Sequence, residues 1–211
     1  MKLPFSSEQF FHVFRDYNET VWPLQILLLA MAVVAVVLTI LPYRHANAVI
    51  GTILSFLWIW MGLAYHILFF SSINPAAYLF GAVFIIQGFL FFWFIVFKKK
   101  ISFKWQWKAP GITGVILILF ALLIYPLIGR TQGHLYPSSP TFGLPCPTTI
   151  FTFGLLLFST KKLPLVIFII PLLWSIIGFT ASFTMGIKED IGLIISGAIF
   201  MAFHLFSKRV Q

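Results

Sequence analysis

Six stretches of this chain, roughly 22–42, 47–70, 75–97, 110–129, 163–184 and 190–207, are almost wholly apolar, and each is about as long as a bilayer is thick. A helix rises about 1.5 Å per residue, so about 20 residues cover the ~30 Å of hydrocarbon in a membrane. In that medium every backbone N–H and C=O must find its partner within the structure, which leaves helices for runs of this kind. Only 9% of the 211 residues are charged, against roughly a quarter in soluble domains, so a soluble fold is excluded. The 26 phenylalanines and 7 tryptophans suit rings that face lipid or lie at its surface. The expectation is an all-α polytopic membrane protein with a single integral membrane domain over 1–211, since no polar stretch is long enough to form a second one.

A seventh apolar segment, 147–160, is too short by this measure. "PTTIFTFGLLLFS" (147–159) extends only about 20 Å as a helix. Charge nevertheless argues for counting it. With seven spans and the N-terminus outside, Arg44, Lys98, Lys99, Lys100, Lys104, Lys108, Lys161, Lys162, Lys208 and Arg209 fall on the cytoplasmic side. Lys2, Arg15, Arg130 and Lys188 remain outside, and ten basic residues against four follow the positive-inside rule. Removing the short span would put Lys208 and Arg209 opposite the Lys98–Lys108 group. Seven spans are therefore expected, with the C-terminus cytoplasmic. The net charge of +9 is spread between apolar runs, a pattern of membrane orientation rather than of nucleic-acid binding. The bilayer is the implied partner; an oligomer or partner subunit is left open.

The opening "MKLPFSSEQFFHVFRDYNET" has neither a continuous apolar core nor a small-residue cleavage site, so it does not read as a secretory signal. It reads as a short amphipathic helix leading into the first span. Phe10, Val13, Phe14 and Tyr17 share one face, and Ser6 with Gln9 has the spacing of a capping box.

On the outer side five elements should converge. They are the end of span 2 ("AYHILFFSSINP"), residues Glu19 to Trp22, the loop "GRTQGHLYPSSPTFGLPCPTT", the start of span 5, and the "KED" that opens span 7. Pro137, Pro140, Pro145 and Pro147 keep the loop from forming helix or regular strand. Leu135, Phe142 and Leu144 make it partly apolar. Irregular backbone at membrane depth is tolerated where it packs on protein or lines a cavity, so a partly re-entrant loop is expected before span 5. Pro147 suits a first helical turn, and a half-span helix N-terminus carries partial positive charge suited to a polar ligand. Packing alone can also require such a cap. The candidate pocket residues are Tyr65, His66, Arg130, His134, Tyr136, Thr148, Thr149, Glu189 and Asp190.

Cys146, the one cysteine, reads either as a small packed apolar residue or as a soft ligand. In the second case His66, His134 and Asp190 are the candidate partners in a transition-metal set, without the CxxC or HxxxH spacing of familiar sites. Glu189 and Asp190 can serve simply as favourable acids at a helix start, or can pair with Arg130. No GxSxG, HExxH, P-loop or mid-membrane acidic pair is present, and no cofactor is evident, so the sequence leans against an enzyme without deciding it. The leading reading is a small permease or solute-binding membrane protein with an outward-facing pocket for a small solute or ion. One alternative is a metal-dependent intramembrane enzyme or metal-binding protein using Cys146 and the histidines. Another is an accessory subunit of a membrane complex.

The segments "PFSSEQFFHVFRDYNETVWP", "WIWMGLAYHILFFSSINPAAYLFG", "GHLYPSSPTFGLPCPTTIFTFGLLLF" and "IPLLWSIIG" resemble an uncharacterised family of small bacterial multi-pass membrane proteins with GHxYP and PCPTT motifs. The resemblance covers nearly the whole chain. It implies a bacterial inner-membrane location and supplies no activity, substrate or site residue.

Overall fold

The structure, a computed structural model, describes residues 4–41 and 43–206. Lys2, Lys208, Arg209 and the ends of the expected spans at Pro42 and Ser207 lie outside the described residues. Among the described residues eight helices of more than one turn follow in order: α1 (Ser7–Val21), α2 (Leu24–Ile40), α3 (Ala46–Ser72), α4 (Ala77–Phe97), α5 (Ala109–Thr131), α6 (Pro145–Leu156), α7 (Ile169–Met185) and α8 (Lys188–Phe206). Among the described residues there is no strand, only two isolated bridges.

Four of these helices, α3, α4, α5 and α8, are long and apolar enough to cross a membrane. Helices α1 and α2 pass that test only together, and they meet at a bend of 86°. The remaining two are shorter, 12 residues in α6 and 17 in α7. The expected run 163–184 starts late because Pro164 and a single 3₁₀ turn, Leu165–Ile167, precede α7. Ile26, Leu68, Phe89, Ile116, Leu127 and Phe183 are each more than half exposed. An apolar exterior of this kind fits a membrane protein, with lipid as the solvent for those side chains.

The short helix α6 sits at the centre of the bundle. Every residue from Pro147 to Leu156 is buried, so the helix is enclosed by protein. Against α5 the approach is close: a Cβ on Gly114 would stand 2.7 Å from the Gly154 carbonyl oxygen, and one on Gly154 2.9 Å from that of Gly114. Its threonines serve the helix and its neighbours. Thr152 donates to the Thr148 carbonyl (2.8 Å) and accepts from the Trp58 indole (3.1 Å). Beyond its C-terminus the lysine-rich connection crosses underneath. There Lys104 N–H donates to the Phe158 carbonyl (3.0 Å) and Thr160 N–H to that of Ser102 (2.9 Å).

Two groups of buried residues make the core. The larger surrounds α6 and includes Trp58, Phe84, Phe91, Phe151 and Phe200. The smaller joins Phe10, Phe14 and Tyr17 of α1 to Tyr65 and Phe70 of α3 and to Leu144 of the proline-rich loop. The site lies at this second group.

Candidate functional site

Helix α1 begins as its sequence dictates. The Ser6 hydroxyl accepts from the Gln9 N–H (3.2 Å) and the Gln9 side chain accepts from the Ser6 N–H (2.9 Å), a complete capping box. Its apolar face, Phe10, Val13, Phe14, Tyr17 and Val21, is buried. The Tyr17 hydroxyl accepts from the Trp60 indole (2.8 Å), pinning the helix against the middle of α3.

One polar residue shares that buried face and fastens the proline-rich loop. Asn18 is fully buried. Its amide donates to the carbonyls of Pro137 (2.6 Å) and Ser139 (2.8 Å), and its Oδ1 accepts from Thr141 (2.7 Å) and Gln25 (3.0 Å). Proline leaves carbonyls that no local helix or sheet can use, and Asn18 satisfies them from across the fold. Further on, Gly143, at φ +100, donates its N–H to the Thr148 hydroxyl (3.0 Å), so Thr148 stabilises the loop next to the start of α6. Sequence reasoning missed Asn18. The signal was available, since Asn18 lies four residues after Phe14 on the apolar face.

Between α1, the loop, the C-terminal part of α3, the N-terminal part of α4 and α7 is a cavity of about 600 Å³. Its wall is aromatic: Phe10 and Phe14 from α1, Tyr65 and Phe70 from α3, Phe80 from α4 and Trp174 from α7. The rings interlock, with Phe10–Phe70 centroids 5.7 Å apart, Tyr65–Phe70 5.7 Å and Phe80–Trp174 5.6 Å. One end is polar. There the Tyr125 hydroxyl donates to the Asp190 carboxylate (2.5 Å). The Cys146 thiol faces both Asp190 and the Trp174 indole. Asp190 is the one charged side chain among the described lining residues, and it is 2% exposed.

The matching family is that of unknown function designated DUF6064, whose sequence pattern covers residues 7–211. The chain belongs to the DUF6064 family. No curated protein and no solved structure matches it.

In this DUF6064 chain the sequence-derived candidates separate into groups. Tyr65 and Asp190 line the cavity, together with Cys146. His66 does not: it lies behind the wall, fully buried, in a box made by Phe84 (4.6 Å between centroids), Trp174 (5.1 Å) and Phe80 (5.8 Å). Neither ring nitrogen of His66 has a hydrogen-bond partner among the described residues. His134 pairs instead with Glu189 (Nδ1 to Oε1, 2.9 Å) and lies on Phe11 of α1 (4.7 Å). Glu189 therefore meets His134, whereas Arg130 is exposed. Tyr136 is exposed beside Trp22, at 6.4 Å between centroids. Thr149 is buried within α6, and its hydroxyl has no hydrogen-bond partner among the described residues.

The expected metal set is not brought together. Cys146 is at the cavity, His66 is enclosed by rings and His134 is engaged with Glu189. Among the described residues no three His, Cys, Asp or Glu side chains are grouped to hold a metal ion. The lining also differs from the polar pocket of His66, His134 and Tyr136 that the sequence suggests. Phenylalanines from three distant segments make much of the wall, and Asn74, Thr180 and Thr184 are polar lining residues besides Cys146 and Asp190.

Proposed function

We propose that this DUF6064 protein is a small permease or solute-binding protein of the bacterial inner membrane, with seven spans, an outer N-terminus and a cytoplasmic C-terminus. In this reading α1 lies along the outer surface, and the enclosed α6 counts as the short fifth span. The cavity carries the proposal: a volume near 600 Å³, aromatic walls and one polar end have the proportions of a small-molecule site. The reading also rests on the convergence at that end of α1, the proline-rich loop and the starts of α6 and α8. Asn18 bonds to Pro137 and Ser139, and His134 to Glu189.

Two measurements test it. A C-terminal green fluorescent protein fusion should fluoresce and a C-terminal alkaline phosphatase fusion should be inactive; the reverse pair would overturn the topology. Purified protein in neutral detergent should be stabilised by some members of a panel of apolar and amphipathic compounds. Cys146→Phe, which fills the cavity, should abolish that stabilisation. Stabilisation indifferent to Cys146→Phe would overturn the cavity as the site.

A further inference from the structure

We propose that a second, smaller cavity, between α2, α5 and the proline-rich loop, binds the hydroxyl-bearing end of a membrane lipid through Gln25. This site is separate from the large cavity and does not depend on that cavity holding a solute.

Three observations converge. First, Gln25 lines this space and has an acceptor to spare. Its Nε2 donates to the Asn18 carbonyl and to Asn18 Oδ1, both at 3.0 Å. Two acceptors on that side fix which way the amide is turned. Its Oε1 is buried with no hydrogen-bond partner among the described residues, on a residue 9% exposed. A purely apolar occupant leaves that oxygen unsatisfied, whereas a donor removes the cost. Second, two hydroxyls on the same wall have given their protons elsewhere. Thr141 donates to Asn18 Oδ1 (2.7 Å) and Tyr125 to Asp190 (2.5 Å). What they can still do is accept, so the space suits an O–H and opposes an acceptor-only group. A neutral hydroxyl also brings no ionic charge among Ile26, Leu29, Leu122 and Phe142. Third, the space opens onto the apolar exterior. Ile26 and Leu29 of its wall are 57% and 40% exposed. Gln25 follows closely on Trp22, which is exposed beside Tyr136. Paired rings of that kind mark a membrane–water boundary, the level at which lipids carry their hydroxyls. At about 250 Å³ the space is smaller than the ~300–1,000 Å³ that encloses a whole ligand. It therefore takes one end of a longer molecule, whose chain runs on along α2.

The test uses the full-length protein in nanodiscs of phosphatidylcholine, a lipid without a hydroxyl donor. Two diazirine-bearing probes of equal chain length are compared, a dodecanol and its methyl ether. Light-induced crosslinks within residues 24–29, 121–126 and 139–142 should saturate with the alcohol. The ether should be at least about fivefold weaker, as for loss of a hydrogen bond to a buried acceptor. Gln25→Leu should bring the alcohol down to the level of the ether and leave the ether unchanged. Leu29→Trp, which fills the space, should abolish both, whereas Cys146→Phe, in the large cavity, should alter neither. Equal crosslinking by alcohol and ether overturns the donor assignment. Absence of saturable crosslinking at these segments means that water alone reaches Gln25, and overturns the site. Loss of the alcohol on Cys146→Phe would put it in the large cavity and overturn the site as well. The comparison between probes uses the unaltered protein, so it stays decisive if Gln25→Leu does not fold.

Discussion

The hydroxyl of Tyr125 donates a 2.5 Å hydrogen bond to the carboxylate of Asp190, tying the C-terminal part of α5 to the start of α8 at the cavity. Both side chains are almost fully buried. Tyr125→Phe removes the donor and keeps the ring, leaving a buried carboxylate short of a partner. A cost of about 1–3 kcal/mol is expected, read as a lowered thermal midpoint in detergent. Tyr136→Phe changes a half-exposed residue whose hydroxyl makes one long bond of 3.3 Å to the Asn18 carbonyl. It should move stability by no more than about 0.5 kcal/mol.

Asn18 supplies the second prediction. Its amide serves two carbonyls of the proline-rich loop and its oxygen accepts from two further side chains. Asn18→Ala leaves those groups buried and unsatisfied, at about 1–3 kcal/mol for each that water cannot reach. Asn18→Asp is the sharper variant, since it sets a carboxylate against the Pro137 and Ser139 carbonyls. Both should raise protease cleavage within residues 132–144, with Asp at least as damaging as Ala. Unchanged cleavage in both would show that the loop is held by its apolar contacts.

These two residues also mark how far the sequence could be read. The start of α1 was fully legible, because Ser6, Gln9 and the spacing of Phe10, Val13, Phe14 and Tyr17 are local signals, and the structure carries the capping box and the buried face. The long apolar runs were legible for the same reason, and α3, α4, α5 and α8 follow them. The deficit of the short helix was visible, but not its cause: enclosure of α6 on all sides depends on helices distant in sequence. The cavity was least legible. With 26 phenylalanines in the chain, nothing local separates Phe10, Phe14, Phe70 and Phe80 from rings that face lipid. His66 stood out because it is rare and titratable, yet its ring packs behind the wall. Asp190 lines the cavity, whereas Glu189, named beside it from the sequence, meets His134.

The crossing of α5 and α6 gives the third prediction. Gly114 and Gly154 each leave room for the other's carbonyl, at 2.7 and 2.9 Å from a built Cβ. Backbone cannot step aside as a flexible side chain can, so Gly114→Ala or Gly154→Ala must push the helices apart. Each should cost about 1–3 kcal/mol, as overpacking does. Because one alanine already opens the crossing, the double variant should cost less than the sum of the two singles. Strict additivity of the thermal midpoints would contradict a shared crossing. Ile112→Ala, on an exposed position of the same helix, serves as the control.

The last prediction uses the chain's one thiol. Cys146 is half-buried at the first turn of α6 and opens onto the cavity behind Phe10 and Phe14 of α1. As the single cysteine, it reports without ambiguity. A methanethiosulfonate reagent carrying trimethylammonium should label it slowly from the outer face of intact cells. Phe10→Ala with Phe14→Ala, which thins the wall, should speed that labelling. Rapid labelling by a bulky maleimide in the unaltered protein would put Cys146 on an open surface and remove the wall from the argument. Labelling confined to inverted vesicles would instead reverse the side on which the cavity opens.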